Sequence, residues 1–336
     1  MFKKKILTLG LSIMLGASML VGCSGGGEGG SSEEKITLKM SVTTADQSSW
    51  TQGANKFAEL VAEKTDGKVE VKVFPNEQLS GGNQSKGVEM LKSGGIDISY
   101  HSNIIYSVLD ERFGVISLPW LLADEAAADE KLEGEGGKAI NDLLKEHNIV
   151  GLGYGENGFR QLTNSKKEIK TPADISGSKI RVPGMKMYIS LFQSLGADPI
   201  SMNFSEVFTS LQQGAIDGQE NPLDVIDTSK LYEVQKYMSM WNYSYDAIIL
   251  GMNQDKFDSL DEATQTALVE AGKEASEYQK QVNRESAESQ LKKFEEKGMT
   301  ITPVEDIDVE GFKALAEETY TEYEPIIGKE LIDSFR

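Results

Sequence analysis

The chain holds one cysteine and two histidines in 336 residues. A single thiol removes internal disulfides and cysteine-based metal sites from consideration. His101 and His147 stand far apart and outside any H-E-x-x-H, and no G-x-S-x-G occurs in residues 35–336, so neither a zincin centre nor a nucleophile elbow is encoded. Basic residues are also scarce, 34 against 53 acidic ones, for a net charge of −19. A surface of that sign avoids nucleic acid and anionic lipid. An anionic ligand would therefore have to be held by a local basic pocket against the global field. With acids this dense, carboxylate pairs read as solvated faces. Gly25-Gly26-Gly27 has no strand before it, which removes a phosphate loop.

Only one long apolar run is present, from Ile6 to Val21, preceded by Lys3, Lys4 and Lys5 and closed by Leu20-Val21-Gly22-Cys23. That is the grammar of a secretory signal, too short for a mature spanning helix. A cysteine after Leu-Val-Gly resembles a lipobox, so residues 1–22 are expected to be removed and Cys23 to be acylated. Residues 24–34 are Gly- and Ser-rich without apolar side chains and, with Cys23, read as a flexible tether over 23–34. The expectation is an extracytoplasmic lipoprotein held on a membrane by its N-terminal lipid.

About 300 residues follow, enough for two α/β domains rather than one small core. Ile36, Leu38, Met40 and Val42 alternate as a strand, and Ser48 or Ser49 can cap a helix carrying Phe57, Leu60 and Val61. Val69 to Phe74 and Ile96 to Tyr100 read as further strands around a second helix, which implies a parallel sheet with right-handed crossovers. Leu91-Lys92-Ser93-Gly94-Gly95-Ile96-Asp97 is echoed in type by Leu211-Gln212-Gln213-Gly214-Ala215-Ile216-Asp217. Both read as helix end, glycine stop, then Ile-Asp opening a strand, a grammar that could mark two similar domains or be generic to α/β folds.

The middle of the chain is denser in signals. Thr171-Pro172-Ala173-Asp174 forms a capping box with proline at the first helical position. Asn203-Phe204-Ser205-Glu206 resembles a second cap, opening a helix with Val207, Phe208 and Leu211 inward. In Lys179-Ile180-Arg181-Val182-Pro183 the alternation is that of a strand, and an arginine there is costly unless an anion accepts its fork of N–H groups. Two readings stay open for Arg181: an internal ion pair, or a clamp for a ligand carboxylate.

Four ordered blocks carry a resemblance: GENGFRQLTNS, KIRVP, LGADPISMNFSEVFTSLQQGAIDGQENP and YEVQKYMS. Together they resemble the solute-binding proteins of tripartite ATP-independent periplasmic (TRAP) transporters, the DctP-like family, over essentially the whole mature chain. The resemblance implies an α/β, two-domain periplasmic-binding-protein-like (Venus flytrap) fold closing around a small organic acid. It also implies strands that cross twice between the domains and one long helix bracing both. Residues 35–157 with 248–286 are expected as the first domain, and 158–247 with 287–336 as the second. The sequence supplies the brace independently, since residues 259–297 lack proline and carry apolar residues at three-to-five-residue steps. As a helix that stretch would run roughly 55–60 Å.

The resemblance also places the ligand contacts. It puts the carboxylate-pairing arginine at Arg181 and a second arginine at Arg160, which could equally be a structural pair near the hinge. It assigns Asn221 and Asn157 as polar contacts and Phe204 as an apolar wall. From the first domain come His101, Ser102, Asn103 and Gln84, with Trp241 and Tyr243 beside the second. Sialate-type members carry acids at the first-domain positions, and dicarboxylate-type members often carry histidine near Trp241-Asn242-Tyr243; this chain does neither. Amides and hydroxyls around two basic groups suit a sugar acid with one carboxylate, such as a hexuronate. A C4-dicarboxylate binder, a sugar-acid-processing enzyme and a sensory binding lipoprotein remain as other readings. The implied protein is not an enzyme, needs no cofactor or metal, acts as a monomer, and hands its ligand to TRAP membrane permease subunits.

Overall fold

The computed structural model describes residues 35–336; the leader, Cys23 and the tether lie outside them. In chain order the strands are β1 (Ile36–Val42), β2 (Val69–Phe74), β3 (Ile98–Ser102), β4 (Ile149–Phe159), β5 (Gln161–Asn164), β6 (Lys179–Val182), β7 (Asp198–Ser201), β8 (Gly218–Asn221), β9 (Tyr237–Ser239), β10 (Tyr245–Asn253) and β11 (Thr300–Thr302). They form two sheets, ordered β2-β1-β3-β10-β4 and β11-β9-β5-β8-β6-β7. The chain steps from the first sheet to the second at Arg160 and returns between β9 and β10. A third passage is made by the helix Glu262–Glu296. The architecture is the expected two-domain α/β fold.

The first sheet joins local and distant chain. β1 pairs in parallel with β2 and β3, as the alternation of strands and helices implied. β10, from far down the chain, then inserts antiparallel between β3 and β4. All nine of its residues are buried, which is why it tolerates Ala-Ile-Ile-Leu without alternation. β3 starts two residues later than its sequence pattern, because Ile96 and Asp97 form the turn that feeds it.

The helix stops behave as read. Ser48 accepts from the Thr51 N–H as N-cap of the helix Ser49–Lys64, and the Thr171/Asp174 capping box is made on both sides. Asn203 is the exception: its side chain caps nothing, and a 3-10 turn (Phe204–Glu206) leads into the short helix Val207–Gln212. In that helix Val207 and Leu211 are buried while Phe208 is only half-buried.

The sequence echo has a structural basis. Gly94 and Gly214 take φ of 77° and 70°, the left-handed stop. Asp97 N–H donates to the Lys39 carbonyl and its carboxylate takes back the Lys39 N–H. Asp217 repeats both bonds with Lys179. Each aspartate thus pins a new strand beside an older one, β3 on β1 and β8 on β6.

The 35-residue helix Glu262–Glu296 is about 52 Å long at 1.5 Å per residue. Leu268, Ala271 and Ala275 join the core against the first sheet, and Phe294 joins the cluster behind the second. It approaches β4 closely because both surfaces are glycine there: a Cβ on Gly272 would meet the Leu152 carbonyl oxygen at 2.5 Å, and one on Gly153 the Gly272 oxygen at 2.8 Å. Beyond that crossing, Gln279 lays its amide on edge strand β4, accepting from Glu156 N–H at 2.7 Å and donating to Glu156 carbonyl at 2.8 Å. No described helix is long and apolar enough to cross a membrane.

Candidate ligand-binding site

Strand ends from both sheets meet at one cleft. Arg181, third residue of β6, is 2% exposed. Its Nε and Nη2 donate to the Met202 carbonyl at 3.2 and 2.9 Å, and its guanidinium carbon lies 5.7 Å from the centre of the half-buried Phe204 ring. Two of a guanidinium's five N–H groups are thereby used. Among the described residues no carboxylate stands within ion-pair distance of it. Burial pushes Arg181 down to about 10, with the Glu220 carboxylate opposing and the like charge of Arg160 adding to the shift. A cation held this way favours an incoming anion.

Arg160 is the opposite case. Its Nε donates to Glu220 Oε2, Nη1 to Asp246 Oδ2 at 2.5 Å, and Nη2 to Glu220 Oε1 and carbonyl at 2.9 Å and to Asn221 Oδ1 at 3.1 Å. Glu220 and Asp246 are both fully buried. Tyr243 Oη donates to Glu220 Oε2 at 2.7 Å, and Ser102 Oγ and Asn157 Nδ2 donate to the two oxygens of Asp246. Burial drives Asp246 upward, with Arg160 pulling against it. The two arginines thus divide the work: Arg160 ties two buried acids from different sheets together, and Arg181 is left for something else.

Arg181, Arg160, Asn221, Phe204, Asn157, Ser102 and Gln84 line one cavity. The space they enclose, counting the open solvent at its mouth, is about 360 Å³. Gln84 opens its helix, while Asn83 beside it caps that helix. Asn157 is locked, accepting from Trp50 Nε1 at 3.2 Å on its other side.

The other four expected residues face elsewhere. His101 points to the opposite side of β3 from Ser102, fully buried, with Nε2 2.8 Å from Glu77 Oε1. Burial pushes Glu77 up, but the adjacent His101 imidazole and the hydroxyls of Ser80 and Thr43 outweigh it and hold its carboxyl below the usual range. Asn103 is internal wiring, donating to the Phe113 carbonyl and Ser117 Oγ and accepting from Ala247 N–H. Trp241 and Tyr243 turn into an aromatic core with Phe192, so Tyr243 reaches the site only through Glu220.

Sequence reasoning missed Thr43, Thr44, Trp50 and Asp246, which also line the cavity. Thr43 and Thr44 follow β1 directly, at the carboxyl strand end where open α/β sheets bind ligands. Asp246 was detectable as the one acid inside an otherwise apolar run, Tyr245-Asp246-Ala247-Ile248-Ile249-Leu250. Among the described residues no cluster of His, Cys, Asp and Glu could hold a metal ion.

Residues 40–325 match the family described as bacterial extracellular solute-binding protein, family 7 (DctP). The chain is 33% identical over 276 residues to the 2,3-diketo-L-gulonate-binding periplasmic protein YiaO of Escherichia coli K12, covering 82% of this chain and 83% of that one. It is 31% identical over 304 residues to the C4-dicarboxylate-binding protein DctB of Bacillus subtilis 168, covering 89% and 85%. Among solved structures, the sugar acid binding protein DctPAm of Advenella mimigardefordensis in complex with galactonate superposes with a TM-score of 0.85 at 34% identity, covering 90% and 97%.

Proposed function

Since the chain belongs to the family 7 bacterial extracellular solute-binding proteins of TRAP transporters, which bind solutes for transport and are not enzymes, we propose that its ligand is a sugar acid with a single carboxylate. The observation that carries this is Arg181, the cavity's one cation without an acidic partner among the described residues. Arg160 is already spent on Glu220 and Asp246, so Arg181 alone is left to meet a ligand anion. One ligand carboxylate can pair with Arg181 bidentately. A second would stand near Asp246 with no free cation. Amide and hydroxyl groups of Gln84, Thr43, Thr44 and Asn221 around the cavity suit a polyol. The relatives named for diketogulonate and bound to galactonate agree with this class. A C4-dicarboxylate is the second reading, favoured by the relative named for that ligand and opposed by the charge count.

Thermal-shift titration with hexuronates, aldonates, keto acids and C4-dicarboxylates tests the proposal. At 100 times Kd a true ligand stabilises by about 2.7 kcal/mol. Stabilisation by succinate or malate alone would refute it. Delivery to a TRAP membrane permease, and anchoring through an acylated Cys23, complete the proposal. The Leu-Val-Gly-Cys23 sequence motivates the anchor. Fatty-acid labelling should mark the wild type and not Cys23→Ala; equal labelling would remove the anchor.

A further inference from the structure

Among the described residues Asp246 is the only acid lining the ligand cavity, and its position is tightly determined. It sits in β10, a strand buried along its whole length, next to the register shift between Asp246 and Ala247. Ser102 Oγ fixes Oδ1; Asn157 Nδ2 at 2.6 Å and Arg160 Nη1 at 2.5 Å fix Oδ2. A carboxylate offers about four acceptor positions, two on each oxygen. Three are taken here, and the remaining one is on Oδ1.

We infer that Asp246 reads the end of the ligand away from Arg181: its free Oδ1 position accepts one ligand hydroxyl, and its charge rejects a second carboxylate. The inference rests on the reading of the ligand as a monocarboxylate sugar acid held by Arg181. A hydroxyl can donate into the free position, whereas a carboxylate brings only acceptors and a like charge. Arg160 does not relieve that charge, because both of its acidic partners already hold it. Discrimination of this kind works by penalising the wrong ligand. Asp246 is thus a specificity residue, and Ser102 and Asn157 position it.

The test is calorimetric titration with two acids of one carbon skeleton, galactonate and galactarate, which differ by a terminal hydroxymethyl against a second carboxylate. Wild type should prefer the aldonate by about tenfold or more, as like-charge rejection requires. Asp246→Asn keeps the side-chain shape, removes the charge and leaves Arg160 with one acidic partner. It should narrow the preference by about tenfold, weakening the aldonate and strengthening the aldarate. An unchanged ratio in the variant would overturn the inference while leaving the carboxylate clamp intact. If Asp246→Asn does not fold, the wild-type pair decides alone, since equal affinity for the two acids overturns the inference. Failure of wild type to bind any sugar acid would instead strike the underlying reading of the ligand.

Discussion

Arg160 and Glu220 hold each other through both edges of the guanidinium, with Nε on one carboxylate oxygen and Nη2 on the other and on the Glu220 carbonyl. With Asp246 on Nη1, they make a buried triad joining the end of one sheet to the middle of the other. Removing the arginine strands two fully buried acids. Arg160→Ala should therefore destabilise the ligand-free protein by about 3–5 kcal/mol, read by urea denaturation. A variant as stable as wild type would contradict a structural role for this arginine.

Asp224 gives a pH signature. It is buried, accepts from the Ser49 N–H at 3.2 Å and Oγ at 3.1 Å, and is pushed up to about 6 by burial, with those two bonds opposing. The folded state thus holds this proton more tightly than the unfolded chain, whose aspartates titrate near ~3.9. As pH falls through the window from about 6 to about 4, the folded state takes up the proton first and this site gains stability. Above that window the ionised carboxylate is a cost of up to about 2–3 kcal/mol. Asp224→Asn should be more stable than wild type at pH 8 and lose that advantage by pH 4. A difference independent of pH would contradict the assignment.

The brace gives a packing prediction. Alanine is the better helix former than glycine by about 1 kcal/mol. At Gly272, however, a methyl would stand 2.5 Å from the Leu152 carbonyl oxygen and 2.9 Å from its Cβ. Strand backbone cannot yield as a flexible side chain would, so overpacking by about 1–3 kcal/mol should win. Gly272→Ala is expected to melt lower than wild type; a higher melting temperature would show that the helix and β4 can separate.

Much of this was legible in the sequence because local rules and global fold agree. The stops at Gly94 and Gly214, the Ser48 cap and the proline-free brace each have a local signature, and each is made as read. Arg181 stood out because a charge in a strand needs an explanation. What stayed hidden depended on parity and partners. All five residues of β3 are buried, so no alternation reveals that Ser102 faces the cavity and His101 faces away. The pairing of Arg160 with Glu220 and Asp246 spans 60 and 86 positions, beyond any local pattern. The insertion of β10 between β3 and β4 is equally invisible, since a continuously apolar strand reads alike in either direction.

The account turns on Arg181 being free to bind while Arg160 is not, and one paired measurement decides it: ligand-free melting and sugar-acid titration of Arg181→Ala and Arg181→Lys beside wild type. Arg181→Ala should leave ligand-free stability nearly unchanged or raised, since it removes a buried cation that has no acidic partner among the described residues. It should weaken binding by about 2–5 kcal/mol, on the order of 30- to 4000-fold in Kd. Lysine should restore only part of this, because an ammonium supplies the charge without the two-pronged fork. An Arg181→Ala protein that melts early yet binds with wild-type affinity would contradict the clamp and the carboxylate ligand with it.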